Sequence, residues 1–329
     1  INSADPTDVL SSGTNFANFH DLSYYLDRAS SVTNMVIDVV IGSGPYYENV
    51  QFNRISGLDS NNKITINGQG EEIISAIMSN LNVMYAIRLY GANWMTFNDL
   101  IISGYPLSLF DPMFLFHLLY DQYHNYSCQD ITINNCTIQF INNNSTGDSS
   151  CIIANAFISS AIVTSAFPVH RNILINECKL IRGSNGVIIL GNSTNLNSTQ
   201  NIVQNCEIRD ILRNSVYMTR QTDSSILTNH IHRSTNTVTP PGTYYGVYTE
   251  GCLGLIVTRN RIHDPFKLFP TSTVAFIGMA FDSNTKNVII ANNLIYNVTS
   301  NGTMTGIDLS IFTSNGINYI CYNTIILSG

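Results

Sequence analysis

A short segment that recurs about every 30 residues constrains the fold of this 329-residue chain more than any other feature. The segment reads as a strand, a polar corner and the start of a second strand, as in Gln129–Phe140. An aliphatic residue follows each corner by two positions, and an apolar residue precedes it by three. The corner residues of successive copies are Leu100, Cys136, Cys178, Cys206, Asn229, Asn260, Asn293 and Asn323. A period of this length predicts a stack of structural repeats.

The corner residues suit a stacked geometry. One copy alternates apolar and polar residues and cannot bury its apolar side alone, so successive units must lie on each other with strands about 4.8 Å apart. An inward Asn can then donate its amide to one neighbouring unit and accept from the other. Asn also tolerates the left-handed conformation that a tight corner needs. Cys is a small alternative that stacks without demanding partners.

Three consecutive corners carry cysteine, at Cys136, Cys178 and Cys206. Because the spacing of neighbouring units falls within the disulfide range, a bridge between two of these residues is geometrically conceivable. Buried reduced thiols are the alternative. The seven cysteines do not show the spacing of a zinc site.

A second strand pattern precedes the corner in many copies, for example Gly186–Gly191, Ser215–Arg220 and Gly246–Gly251. Each unit therefore holds about three strands joined by turns. This pattern resembles the right-handed parallel β-helix of the pectate-lyase-like superfamily, whose rungs carry inward Asn ladders. The resemblance extends from Val36 to the end of the chain. We predict an all-β fold, a single right-handed parallel β-helix of nine or ten rungs with an N-terminal capping helix.

The capping helix is predicted within Phe16–Ser30, with Asp21 as its cap. Its apolar stripe at helical spacing consists of Leu22, Tyr25, Leu26 and Ala29. Residues 1–35 are accordingly predicted as a cap over the open N-terminal rung, and residues 36–329 as the β-helix. The sequence ends on a strand pattern, so we expect further rungs, another domain or an end-to-end copy to cover its last rung.

The first rungs carry a motif with Gly44, Tyr46 or Tyr47, Glu48 and Val50, and a second motif follows. The residues of the second motif are Ile55, Gly57, Ile64–Ile66 and Gly68. Together they resemble the opening of β-helical surface proteins secreted by Bacteroidetes, and the same opening occurs in β-helical lyases. The resemblance implies a secreted or cell-surface protein.

Charge and hydropathy exclude two classes of partner. Charged residues make up only 11% of the chain, the net charge is −7, and the basic residues are scattered. Without a cationic stripe to displace counterions, we expect no nucleic-acid partner. No apolar run approaches the roughly 20 residues that span a bilayer, so the chain is not expected to cross a membrane.

Histidine and arginine side chains gather in the later rungs. His230 and His232 share one face of a strand, with His263 one rung later, but no third ligand is near in sequence. Exposed turn histidines are the favoured interpretation over a metal pair. The arginines in consecutive rungs are Arg209, Arg213, Arg220, Arg233, Arg259 and Arg261. A solvated ion-pair surface is favoured for them over a uronate-binding groove.

An interruption of the repeat between Tyr105 and Tyr126 is rich in aromatic residues, and Phe114–Leu118 within it can form a rung strand. The remainder is predicted to be a loop that packs on the outside of the stack by its own side chains. A sugar-stacking platform is the alternative, because tyrosine faces suit pyranose rings.

Catalytic motifs are scarce. The sequence contains no Ser–His–Asp arrangement, P-loop or dinucleotide fingerprint, and the short motifs of polygalacturonases and pectate lyases cannot be matched. The favoured hypothesis is a secreted or cell-surface β-helix module with a structural or adhesive role that can bind a polysaccharide or other glycan. The alternative is a polysaccharide lyase or glycoside hydrolase that acts in a groove along one face.

If the chain is an enzyme, we expect its site on the outward face of the strand that precedes the corner. Period-two alternation turns Val216 and Met218 inward and Tyr217 outward. The outward acids of the following rungs are the candidate catalytic residues Glu250, Asp282 and Asp308. The candidate substrate-binding residues beside them are Tyr217, Tyr248 and Arg220.

Glu250 and Asp282 are predicted to occupy one column on successive rungs. Two carboxylates at that spacing resist simultaneous ionisation unless a cation lies between them. They suit acid and nucleophile roles in glycoside cleavage, or a Ca²⁺ site. An acidic surface strip that keeps the stack soluble is the favoured alternative. No other cofactor or metal is expected.

Overall fold

The chain folds into three long sheets of parallel strands that run along a common stack. The computed structural model describes residues 16–29, 34–75, 84–105, 113–141, 149–156, 169–191, 198–282, 284–309 and 316–328. In these ranges the strands follow one order along the chain, sheet A, then sheet B, then sheet C, and two rungs add a short extra strand, Ser198–Thr199 or Gln221–Thr222, to sheet A. The predicted rung of three strands is therefore confirmed.

Sheet A holds twelve strands within the described ranges, ten of them on its main path. They are Met35–Asp38, Ile64–Asn67, Asn93–Asn98, Gln129–Asn134, Arg171–Asn176, Ser198–Thr199, Ile202–Gln204, Gln221–Thr222, Ser225–Leu227, Ile256–Thr258, Ile289–Ala291 and Tyr319–Cys321. Sheet B holds ten. They are Tyr46–Tyr47, Glu72–Ile74, Ile101–Gly104, Thr137–Phe140, Lys179–Ile181, Glu207–Arg209, His230–His232, Arg261–His263, Leu294–Thr299 and Thr324–Ser328.

Sheet C holds nine strands in the same ranges. They are Val50–Asn53, Met84–Tyr90, Met113–Leu119, Ser149–Asn155, Asn185–Leu190, Asn214–Thr219, Tyr244–Glu250, Phe276–Asp282 and Met304–Asp308. Ten rungs in sheets A and B agree with the predicted nine or ten. Met113–Leu119 confirms the strand predicted in the aromatic interruption, whereas residues 106–112 of that interruption lie outside the described ranges.

Sheet A passes into sheet B at the repeated corner. The apolar columns on its two sides are in register, as in Ile133↔Ile175 before the corner and Ile138↔Leu180 after it. These side chains are buried and point into one continuous apolar core. Full burial of an aliphatic side chain contributes about 1.5–3 kcal/mol, so the columns are the main source of stability of the stack.

The left-handed residue at each corner directly precedes the inward corner residue, which is Leu, Cys or Asn. The residues with positive φ at this position are Asp99, Asn135, Glu177, Asn205, Thr228, Arg259, Asn292 and Tyr322. The prediction that the inward Asn itself takes up this conformation was wrong. The preceding side chain points away from the core, so many residue types are accepted there despite the strain.

The inward corner asparagines form the predicted ladder. Asn229 Nδ2 donates to Asn260 Oδ1, Asn260 Nδ2 to Asn293 Oδ1, and Asn293 Nδ2 to Asn323 Oδ1, each at 3.0 Å. Each acceptor oxygen also receives the backbone N–H of the preceding corner at 3.0 Å. The ladder thus satisfies polar groups that lie inside an apolar core.

The cysteine corners are free thiols rather than disulfides. Each thiol is directed at a carbonyl oxygen of the preceding rung, as in Cys206 Sγ to Ile175 O at 3.7 Å and Cys178 Sγ to Ile133 O at 3.4 Å. The thiol thus replaces the donor contact of the Asn amide to the preceding rung, but it does not supply the Oδ1 acceptor that Asn offers to that rung. Reduced, buried thiols were one of the two predicted states.

The single helix in the described ranges spans Phe19–Arg28 and buries Phe19, Leu22 and Leu26. It lies against Val50–Asn53, the first strand of sheet C, where the Ser23 hydroxyl donates to the carbonyl of Gln51. The predicted cap residue was wrong: Asn18 accepts from the Asp21 N–H at 2.8 Å. The helix begins at Phe19, within the predicted range, so Asp21 lies in its first turn rather than at the cap.

Candidate functional site

The outward face of sheet C brings the predicted acids together. Glu250 and Asp282 are paired in register on adjacent strands, and Asp308, one rung further, is paired with Ala280, which is the outward position two residues before Asp282. This is the arrangement predicted from the repeat. All three side chains are half-buried. We call Glu250, Asp282 and Asp308 the acidic strip.

Tyrosine hydroxyls from the preceding rung hold two of these carboxylates. Tyr248 Oη donates to Asp282 Oδ2 at 3.0 Å, and Tyr217 Oη lies 3.5 Å from Glu250 Oε2, a weak contact. Burial, and then the hydrogen bond to Asp282, raise the pKa of Tyr248. Burial and the charge of Glu250 raise the pKa of Tyr217. Both hydroxyls therefore keep their protons and act as donors to the carboxylates.

The two tyrosine rings differ in exposure. They stack with centroids 4.9 Å apart and ring planes at 5°. Tyr217 is only 4% exposed, because its outward ring belongs to a second apolar cluster on this face. The other members of that cluster are Phe114, Ile153, Ile188 and Leu190. Tyr217 is therefore too enclosed to contact a ligand directly. Tyr248 is half-buried, so part of its ring can be reached by a ligand.

Tyr245 extends the aromatic stack and was missed by the sequence reasoning. Its ring lies 5.0 Å from that of Tyr248 at an angle of 23°. Tyr245 belongs to the strand Tyr244–Glu250, but it lies before Gly246, outside the alternating stretch that was used to assign outward positions. Its position three residues before the outward Tyr248 was the sequence signal that could have identified Tyr245 as part of the stack.

Arg220 closes this site on the side of the preceding rung. Its Nη2 atom lies 4.0 Å from Glu250 Oε1, and its backbone N–H donates to the Glu250 carbonyl at 2.7 Å. Its Nη1 atom is buried and has no hydrogen-bond partner among the described residues. The side chain as a whole is 22% exposed and lies beside a carboxylate and a ring stack.

Metal binding at the acidic strip stays a prediction. The described ranges contain no group of three or more His, Cys, Asp or Glu side chains arranged to hold a metal ion. Glu250 and Asp282 could supply two carboxylates to Ca²⁺, and the remaining oxygen ligands would have to come from waters, carbonyls or substrate.

The histidines form a stack on sheet B rather than lying in turns. His230 and His232 belong to one strand and His263 to the next, with His232 and His263 ring centroids 5.2 Å apart. His230 Nε2 lies 2.5 Å from His263 Nε2, and Asp264 Oδ2 accepts from His263 Nδ1 at 2.6 Å. Burial, and then the other two imidazoles, lower the pKa of His230.

The clustered arginines separate into different environments. Arg233 is almost fully buried and donates to the carbonyls of Pro265 and Val238 at 2.8 and 2.7 Å. Arg209 pairs with Glu207 at 3.7 Å. The predicted ion-pair surface therefore describes Arg209 and Arg220, but Arg233 has a structural role.

Comparison with known proteins supports the architecture. A family model described as the right-handed β-helix region matches residues 169–328. The chain is a right-handed parallel β-helix. The expected resemblance to pectate-lyase-like proteins is thus confirmed for the fold, while a link to Bacteroidetes stays a prediction. No curated protein matches the chain.

Two solved structures align with almost the whole chain. The GH136 lacto-N-biosidase from Eubacterium ramulus is 10% identical with a TM-score of 0.50, and the alignment covers 99% of this chain and 66% of that protein. The Streptococcus pneumoniae surface protein and adhesin PfbA is 10% identical with a TM-score of 0.43, covering 97% and 98%. The present chain therefore spans about two thirds of the length of the lacto-N-biosidase. At such identities the similarity concerns the fold alone.

The structure was also searched for membrane-spanning helices. No helix in the described ranges is long and apolar enough to cross a bilayer.

Proposed function

We propose that this right-handed β-helix is a secreted or cell-surface module with a structural or adhesive role, and that it binds glycans at the acidic strip. One observation carries the proposal: a tyrosine stack, a partly exposed arginine and paired carboxylates meet on adjacent rungs of sheet C. These are the groups that bind sugars.

The chemistry of each group fits a carbohydrate. The apolar C–H face of a pyranose packs on an aromatic ring, which the stack of Tyr245 and Tyr248 provides at partial exposure. Sugar hydroxyls donate to carboxylates, and the partly exposed guanidinium of Arg220 can donate to a sugar oxygen. A regular repeat of such groups along a rigid stack suits an extended chain of sugars.

The alternative function is glycoside or polysaccharide cleavage at the same place. It is favoured by one specific observation, that Glu250 and Asp282 lie on neighbouring strands, whose backbones are about 4.8 Å apart. Retaining glycosidases hold their two carboxyl groups about 5–5.5 Å apart. In this alternative Asp282, which Tyr248 fixes, and Glu250, which lies beside Arg220, would share the acid and nucleophile roles.

Binding is tested with a panel of neutral and uronate-containing polysaccharides by affinity electrophoresis, followed by calorimetry on the best ligand. We expect Tyr248→Ala to weaken binding at least about tenfold, because it removes a stacking ring, and Tyr248→Phe to retain most of the affinity. Tyr47→Ala, which removes an exposed tyrosine ring from sheet B, is the control. Unchanged affinity in Tyr248→Ala would place the site elsewhere, and no ligand in the panel would refute glycan binding.

Cleavage is tested with the same panel by reducing-end release and by the absorbance of unsaturated products. If the enzyme alternative is correct, Glu250→Gln and Asp282→Asn should each lose activity while they still bind. Activity retained in both variants would refute the acidic strip as the catalytic site. Ca²⁺ is tested by melting temperature, since an equal increase in wild type and both variants would refute a calcium site there.

A further inference from the structure

Arg259 and Arg261 are two neighbouring members of the arginine cluster that the preceding sections leave unassigned. Neither side chain makes an ion pair or hydrogen bond within the described part of the chain, and both are exposed. The nearby Asp264 carboxylate is occupied by His263, from which it accepts at 2.6 Å. The two guanidinium groups thus carry charge without a carboxylate to balance it.

The corner of the repeat places both arginines around one concavity of about 500 Å³. Arg259 has the left-handed conformation that precedes the inward Asn260, and Arg261 begins the next strand of sheet B. The alternation therefore puts Arg259 and Arg261 on either side of an inward residue. Because the three rungs are bound by backbone hydrogen bonds, this arrangement is rigid.

Neutral polar groups from the rungs above and below complete the concavity. His230 is paired in register with Arg261, and Thr228 and Asn292 lie at the corner positions on the two sides of Arg259. These side chains supply hydroxyl, amide and imidazole groups, and no residue lining the concavity is Asp or Glu. The site therefore combines two cations with neutral hydrogen-bonding groups.

The positive character is local to these rungs. A second concavity, of about 390 Å³, lies at the same corner in earlier rungs and is lined by Asp99, Glu177 and one cation, Lys179. The whole chain has a net charge of −7. Neither the corner geometry nor the overall composition accounts for a pair of unbalanced arginines at this point. A recognition role for an anion accounts for both their placement and their lack of partners.

We propose that Arg259 and Arg261 form an anion-binding site for the acidic groups of a glycan, a uronate carboxylate or a sulfate ester. A guanidinium binds such planar or tetrahedral oxyanions through two parallel N–H···O bonds, and its fork geometry adds specificity. His230, Thr228 and Asn292 then bind the neighbouring hydroxyl groups. The assignment to a sugar rests on the proposed glycan binding, whereas the anion site itself does not.

The site lies at the corner between sheets A and B, whereas the acidic strip lies on the outward face of sheet C. The two can therefore be separated by mutation. The test measures binding of a uronate-containing oligosaccharide, a sulfated oligosaccharide, a neutral oligosaccharide of equal length and inorganic sulfate. Calorimetry is carried out at low salt, because added salt screens exposed charges.

The double variant Arg259→Gln/Arg261→Gln should weaken binding of at least one acidic oligosaccharide about tenfold or more. Arg171→Gln is the matched control, since Arg171 is an exposed arginine of sheet A outside this concavity, and it should change the affinity less than about twofold. Tyr248→Ala should leave the preference for acidic over neutral oligosaccharides unchanged. A wrong assignment of the glycan site at the acidic strip can therefore be distinguished from a wrong assignment of this anion site.

Three results would overturn the proposal. Wild-type affinity of the double variant for both acidic oligosaccharides would remove the site. An equal loss in Arg171→Gln would show only a general effect of net charge. Binding of inorganic sulfate as tight as that of the sulfated oligosaccharide, with the same dependence on both arginines, would assign the site to free anions rather than to a glycan.

Discussion

Replacement of Asn260 tests whether the asparagine ladder stabilises the stack. This side chain is fully buried, and Asn260 Nδ2 donates to Ile226 O at 2.9 Å and to Asn293 Oδ1 at 3.0 Å. Its Oδ1 atom accepts the backbone N–H and the side-chain amide of Asn229, both at 3.0 Å. The neighbouring corner residues cannot take over these contacts, because their own amides already donate to carbonyls of other rungs, Asn229 to Val203 O and Asn293 to Val257 O.

The expected cost follows from the groups that lose their partners. Asn260→Ala leaves the Asn229 N–H without its acceptor and the Ile226 carbonyl without its amide donor, both inside the core. Each buried unsatisfied group costs about 1–3 kcal/mol, so the free energy of unfolding should fall by about 4 kcal/mol. That is a large fraction of the roughly 5–15 kcal/mol of a typical domain.

Two further variants make the comparison specific. Asn260→Cys copies the solution used at Cys206, where a thiol faces a carbonyl of the preceding rung but offers no good acceptor. It should cost about half as much as Asn260→Ala. Asn323→Ala removes an equivalent side chain that is only half-buried, so water can replace its partners and the cost should stay near 1 kcal/mol.

The measurement is urea unfolding followed by far-ultraviolet circular dichroism, with the slope of the transition compared among variants because a stack can lose its cooperativity. A loss below about 1 kcal/mol for Asn260→Ala would refute the ladder as a source of stability, given the partners it leaves unsatisfied. Equal losses for Asn260→Ala and Asn323→Ala would refute the dependence on burial.

Three other predictions concern conformation, protonation and capping. Thr228 is β-branched and has φ 58°, so Thr228→Gly should raise the free energy of unfolding by about 1 kcal/mol in the same urea assay, and a decrease would contradict the strain. Burial, and then the charge of Arg88, lower the pKa of His117 to about 3, below the roughly 6.5 of an unfolded chain. The unfolded state therefore takes up this proton first, and stability is lost as pH falls from about 6.5 towards 3. His117→Gln should reduce that pH slope by about 1.4 kcal/mol per pH unit, and an unchanged slope would refute the assignment. Asn18→Ala should lower the unfolding free energy by about 1 kcal/mol through the lost helix cap, whereas Asp21→Ala, which was the cap predicted from sequence, should cost less.

The sequence alone determined the architecture, because the same pattern recurs in every rung and each copy supports the assignment of the others. The aliphatic residues that flank each corner recur at fixed distances, and this pattern requires parallel columns such as Ile133↔Ile175. The same regularity placed Glu250 opposite Asp282 and offset Asp308 by one outward position, which is two residues in the register. In a solenoid, equal positions in the repeat become neighbours in space, so register can be read by alignment of the copies.

Features that depend on contacts outside the repeat were decided only by the tertiary structure. The sequence cannot show that the outward Tyr217 is buried, because the neighbouring outward side chains Phe114 and Ile188 cover it in a second cluster. It also grouped Arg233 with Arg259 and Arg261, although burial and carbonyl acceptors separate the first from the other two. Alternation assigns a side chain to a face, but the partners on that face decide whether it is buried, paired or available to a ligand.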